Sequence, residues 1–141
     1  TSKKFHAYFD EGKVIPNKTL FSICSPDSAF LMGLLMSKLA HFVFAWTFPS
    51  YGIPVFGGRM QFQKRILGEF LIPEASAPQQ TEISSLAQEC TKAASSDNTR
   101  ELTKLELNLD KAVYRLYDLT SAEIKNLEET LVFKNRKQDE L

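Results

Sequence analysis

Long apolar runs are missing from this sequence. The longest candidate, Ala29 to Phe48, is interrupted by Ser37, Lys38, His41 and Thr47. A membrane-spanning helix needs about 20 consecutive apolar residues, so none is expected. Cysteine is scarce: Cys24 and Cys90 lie far apart and form no CxxC, which argues against a disulfide framework or a zinc site. Net charge is absent, since 17 Lys and Arg balance 17 Asp and Glu. No GxGxxG, GxxxxGK[ST] or GxSxG occurs, which removes the common nucleotide-binding loops and the hydrolase nucleophile elbow. Neither His6 nor His41 has a companion at metal-ligand spacing, and His41 reads as a helix-surface or helix-end histidine. Glu128-Glu129 and Asp139-Glu140 are adjacent pairs that diverge on a helix, so they read as solvated charges rather than an acid/base couple. The sequence opens Thr1-Ser2-Lys3-Lys4, with neither an initiator Met nor a signal-peptide pattern, and reads as an excised piece of a longer, cytoplasmic protein.

What is present is an ordinary globular composition: 43% hydrophobic, 11% aromatic and 24% charged residues over 141 positions. That length suits one domain, or one domain with a helical appendage, and can bury enough surface to fold without metal or disulfide. The zero net charge hides an asymmetry. Residues 1–70 carry eight basic and four acidic side chains, whereas residues 71–141 carry nine and thirteen. A polyanionic partner should therefore meet the first half, although a solvated surface with chance clustering gives the same count.

Along the chain, aromatic and period-two patterns predict strands over about 3–9 and 19–24. Ser25-Pro26-Asp27-Ser28 is a helix start, and a long helix is expected over about 26–47, with Phe30, Leu31, Leu34, Leu35, Leu39, Phe42, Val43 and Trp46 spaced three and four apart. Pro49 and Gly52 end it, and Gly57-Gly58 makes a tight turn. Residues 59–63 alternate like a strand, 64–68 fit one helical turn, and Phe70 to Pro73 reads as a short strand. Residues 74–80 read as a linker. The composition then turns helical: 81–94, then 99–117 capped by Asn98 or Thr99, then 120–132 opened by a Thr120/Glu123 capping box, and a charged tail over 133–141. Leu102, Leu105, Leu109, Ala112, Val113 and Leu116 form a near-heptad stripe. It suits burial in a small three-helix bundle or a docking arm. These segments together read as an α+β domain, a small mixed sheet packed on a long helix, followed by a helical region. The reading is non-enzymatic, with polyanion binding as a candidate role. Cys24, at the end of a strand, is expected to be a buried inert thiol.

Three segments carry a resemblance. The first is Lys18 to Ile23 leading into Phe30-Leu31-Met32-Gly33-Leu34-Leu35-Met36-Ser37-Lys38-Leu39. It resembles the strand and "LLGLLNSKL" helix of DNA target-recognition domains in TaqI-like adenine-N6 methyltransferases, fused type II restriction-modification enzymes and type I specificity subunits. The second, Gly57 to Pro73, is similar to the "F-x-K-x-x-L-x-x-L-P-I-P" close of such a domain. The third, Asp110-Lys111-Ala112-Val113-Tyr114-Arg115-Leu116-Tyr117-Asp118-Leu119-Thr120-Ser121-Ala122-Glu123-Ile124, resembles "D-x-x-V-Y-x-L-Y-G-L-T-x-x-E-I". It is the most specific of the three. Met36 replaces the usual Asn, Asp118 the usual Gly, and Leu71-Ile72-Pro73 the usual Pro-Ile-Pro. The family's Asn-Pro-Pro-Tyr motif, its cofactor-binding motif and any nuclease signature are missing.

The resemblance implies a reader of double-stranded DNA rather than a catalyst, joined to catalytic domains of a parent whose cofactor is S-adenosylmethionine, with magnesium a further candidate. The fragment itself is expected to hold no cofactor or metal. It implies a specificity domain over 1–73, a linker at 74–80 and a helical spacer or docking region over 81–132. Phosphate contacts would fall to Lys3, Lys4, Lys18, Lys38 and Lys64, and base readout to Tyr51, Arg59, Gln61 and Gln63 in the Gly/Pro-punctuated 49–65 segment. Arg can engage guanine O6 and N7 together, and Gln the N6 and N7 of adenine. The polar outer face of an edge strand would carry the same residues. The competing class is a protein–protein interaction module that self-associates through the 99–117 helix.

Overall fold

The computed structural model describes residues 7, 9–10, 12, 15, 21–48, 50–51, 59–96 and 98–139, with backbone alone at 50–51, 59–60 and 132–139. It is helical: α1 (Ser28–Met36), α2 (Lys38–Thr47), β1 (Ser50–Tyr51), β2 (Arg59–Met60), α3 (Lys64–Gly68), α4 (Ala77–Ser95), α5 (Thr99–Leu116) and α6 (Ser121–Asp139). The expected α+β domain with a mixed sheet is therefore incorrect. About 70% of the described residues are helical, and the β structure among them is one antiparallel pairing of two residues per strand. Period-two patterning marks a strand only when another backbone edge is there to pair with it. Phe21 and Ile23 are half exposed and Leu71 is 84% exposed, all without regular structure. The 3–9 strand lies largely outside the described residues, and Ala7 and Phe9 carry no strand.

The long helix expected over 26–47 is two helices, bent by 70° at Ser37. Ser37 leaves the helical region, with ψ of 156°. Its hydroxyl donates to Leu34 O at 2.7 Å and accepts from Ala40 N at 3.2 Å, so one buried side chain closes α1 and opens α2. The break divides the apolar residues between two clusters. Phe30 and Leu34 of α1 join Ile83, Cys90 and Ala93 of α4, Leu105, Leu109, Val113 and Leu116 of α5, and Leu127 and Leu131 of α6. Ala40, Phe44 and Phe48 form a second cluster with Phe62, Ile66, Leu67 and Phe70 around it. Burial of each such aliphatic or aromatic side chain contributes about 1.5–3 kcal/mol.

α1 lies close on α4 because Gly33 has no side chain: a Cβ there would stand 2.6 Å from Ile83 Cγ2 and 3.1 Å from Ile83 O. α4 begins inside the expected 74–80 linker, at Ala77. Gln79 reaches back to accept from Ser76 N at 2.9 Å, and Pro78 needs no amide partner in the first turn. The first cluster thus joins residues from both sides of that segment. α5 and α6 start as the sequence predicts, with Asn98 accepting from Glu101 N at 3.2 Å and Glu123 accepting from Thr120 N at 2.8 Å.

Among the described residues no single helix is long and apolar enough to cross a membrane. α1 and α2 reach that hydropathy only together, across their bend, and they bury Phe30, Leu34, Leu39 and Phe44 inside the protein.

Candidate nucleic-acid interface

The 49–65 segment begins as a hairpin whose first and last residues are paired: Ser50 opposite Met60 and Tyr51 opposite Arg59. Two of the four residues expected to read bases are thus register partners. The hairpin is rooted by aromatic rings. Phe48, just before β1, is 4% exposed. It meets Phe62, just after β2, edge to face at 5.1 Å. From Phe48 the contacts continue to Phe44 at 5.1 Å, from Phe44 to Phe70 at 5.2 Å and from Phe70 to Tyr117 at 6.3 Å. The Tyr117 hydroxyl donates to Leu71 O at 2.8 Å, and burial pushes its phenol up to about 12. A chain of rings therefore connects the base of the hairpin to the end of α5.

The remaining predicted residues are scattered. Gln61 is exposed and Gln63 half-buried at the start of α3. Lys64 is exposed on the first turn of α3, next to Arg65, which pairs with Glu69 at 3.0 Å. Lys3, Lys4 and Lys18 lie outside the described residues, as do the side chains of Tyr51 and Arg59.

Lys38 stands in a different setting. Its ammonium lies 3.1 Å from Glu128 Oε1 and 3.4 Å from Asp110 Oδ2, and its backbone N–H donates to Asp110 Oδ1 at 2.8 Å. Partial burial works against the charge, but the Glu128 and Asp110 carboxylates outweigh it and hold the ammonium above its ordinary range. A phosphate would have to displace two carboxylates, so the geometry assigns Lys38 to joining α2, α5 and α6. Glu128 also accepts from the Tyr114 hydroxyl at 3.3 Å. Asp110, 4% exposed, has its carboxyl raised by burial, partly offset by the Lys38 N–H and ammonium.

Asp110, Tyr114 and Tyr117 acquire roles that composition and periodicity did not give them. Their signal was a polar atom at positions flanking the apolar stripe of α5. The three segments that carry the family resemblance also meet here: Ser37 and Lys38 from the first, Phe70 and Leu71 from the second, and Asp110, Tyr114 and Tyr117 from the third.

Cys24 is exposed, contrary to the expected buried thiol, and the described residues 21–24 around it form no strand. Cys90 is the buried one. A shallow groove of about 320 Å³ between α4 and α5 is lined by Glu82, Glu89, Lys111 and Arg115 among others, and lies apart from the hairpin. Among the described residues no cluster of His, Cys, Asp or Glu could hold a metal ion. Comparisons with protein-family models, curated proteins and solved structures find no match.

Proposed function

We propose that this chain is a sequence-specific DNA-recognition fragment of a restriction-modification enzyme, which directs adenine-N6 methylation or cleavage by other domains of its parent. The observation that carries the reading is the hairpin: Tyr51 and Arg59 are register partners on strands anchored to a buried aromatic cluster, and the expected Gly57-Gly58 turn between them lies outside the described residues. Loops held by a rigid scaffold are where recognition residues concentrate. The meeting of the three resembling segments at one place adds support, because the motif residues serve one another structurally. The reading does not depend on a sheet. Exposed Lys64 adjoins the hairpin and suits a phosphate.

The alternative, a helical self-association module, draws little from the leucine stripe, since Leu105, Leu109, Val113 and Leu116 are buried inside this chain.

Electrophoretic retardation of duplex DNA at two salt concentrations tests the proposal. On duplexes of arbitrary sequence the fragment should bind with a dissociation constant of roughly 10⁻⁴–10⁻⁶ M and weaken as salt rises. In the intact parent, Arg59→Ala should cost roughly 1–3 kcal/mol at one base position, while Lys64→Ala weakens all sequences alike. Salt-independent self-association without DNA affinity would select the alternative.

A further inference from the structure

We propose that Phe48 and Phe62 are positioning residues of the reader: their ring pair closes the open end of the hairpin and so fixes where Tyr51 and Arg59 stand. The inference rests on the DNA-recognition reading for its functional consequence, but its structural part can be tested without DNA.

The described pairing is short. Each strand contributes two residues, Ser50–Tyr51 and Arg59–Met60. A two-stranded ribbon of ordinary length is already marginal in water. A two-residue pairing therefore needs support from tertiary contacts. Phe48 supplies it on one side: it is buried and held by Phe44, and its N–H donates to Phe44 O at 3.0 Å, which ties the chain to the last turn of α2. Phe62 supplies it on the other side, placed between β2 and α3, whose Ile66 and Leu67 pack on the same cluster. The two rings meet at 5.1 Å with planes 80° apart, an edge-to-face geometry that fixes both distance and rotation. Each ring is two residues from its strand, Phe48 before Ser50 and Phe62 after Met60. Setting the rings therefore sets the separation and the register of the strands. A one-residue slip would move Arg59 to the opposite face of the ribbon.

A base-reading arginine must be held closely, because its two donors have to meet two acceptors at once. Contacts to phosphate tolerate more freedom. Loosening the ring pair should therefore erode discrimination between sequences while leaving salt-dependent affinity in place.

The experiment uses the full chain and three forms: wild type, Phe62→Leu, which keeps an apolar side chain, and Phe62→Tyr, which restores the ring. Amide hydrogen exchange is read at 50–51 and 59–60, with α4 and α5 as the folding control. A duplex pool with a randomised centre is bound at two salt concentrations, and the retained sequences are determined. Phe62→Leu should speed exchange at the paired residues roughly three- to tenfold, the size expected for loss of an aromatic pair. It should leave α4 and α5 unchanged, keep the salt dependence and enrich no sequence. Phe62→Tyr should restore both slow exchange and enrichment. Unchanged exchange in Phe62→Leu overturns the positioning role. So does loosening that is equal in α4 and α5, which would make Phe62 a general core residue. A wild-type chain that enriches no sequence overturns the DNA reading instead, and the exchange result still decides whether the rings hold the hairpin.

Discussion

Asp118 has a backbone conformation that glycine adopts more readily. Its φ is 53°, the left-handed region, and it follows α5 directly. The local hydrogen bonds show why the chain takes this shape. Asp118 N donates to Arg115 O at 3.2 Å and Leu119 N donates to Tyr114 O at 3.0 Å, the paired bonds of a Schellman end. Leu119 then turns inward against the main apolar cluster. Replacing Asp118 by Gly removes a left-handed penalty of about 1–2 kcal/mol, toward the low end for Asp. Gly returns about 0.5–1 kcal/mol of that through the greater freedom of the unfolded chain. Loss of a carboxylate beside the negative end of α5 adds a few tenths of a kcal/mol at this exposed position. The expected outcome of Asp118→Gly is a gain of about 0.5–1 kcal/mol in urea unfolding, with an unchanged slope. Asp118→Ala is the control, since it removes the same charge but keeps a Cβ. It should be no more stable than wild type. If Gly were no better than Ala, relief of the left-handed strain would not be the operative effect and the reasoning would fail.

Other outcomes follow from the same structure. Gly33→Ala gains about 1 kcal/mol of helix propensity. It also drives a methyl into the backbone and side chain of Ile83, at an overpacking cost of about 1–3 kcal/mol. Net destabilisation by thermal unfolding is expected, and a more stable variant would mean that α1 and α4 are not in close contact. In the native protein at pH 8, iodoacetamide should modify exposed Cys24 quickly. Cys90 should react only after unfolding, because burial, with nearby Glu106 and Glu89, raises its thiol to about 11; equal rates by mass spectrometry would refute this. Tyr117, Tyr114 and Lys38 all have folded-state pKa values raised above their ordinary ones. The folded state therefore retains their protons more firmly, and that stability is complete below their unfolded values and lost as pH rises through the folded ones. Urea midpoints should fall as pH rises above about 10, and tyrosinate absorbance of the folded chain should lag behind that of the urea-unfolded chain; a flat profile there would contradict the burial of these groups.

Helix starts were legible because each is written within four residues: Asn98 before Thr99, and Thr120 with Glu123 three positions on. The apolar stripe of α5 was legible for the same reason, since its period belongs to one element. The break at Ser37 was not, because a serine on an apolar helix becomes a cap only when Asp110, far along the chain, takes the next amide. Strands failed by the same logic: alternation at 21–24 and 70–73 describes a side-chain pattern, and pairing depends on a second edge, which none of the described residues supplies there. For the candidate site, the segment was legible from its glycines, prolines and polar alternation. The ring chain from Phe62 to Tyr117 was hidden, because its members come from four places in the sequence. For Lys38 the positive charge was legible, but its two carboxylate partners were not, because they arrive from α5 and α6.

The main apolar cluster draws on both sides of the 70–76 stretch, which has neither helix nor strand, with Phe30, Leu34 and Leu39 on one side and Ile83, Cys90 and Leu109 on the other. A nick at exposed Glu74 would therefore separate the chain covalently without separating it physically. Each piece would carry one half of an interface shaped by Gly33, too apolar to remain alone in water and too specific to be satisfied by an arbitrary surface. The two pieces would behave as complementary fragments whose reassembly depends on concentration. Tying them together in one chain makes that encounter intramolecular, so the hairpin is presented at any dilution.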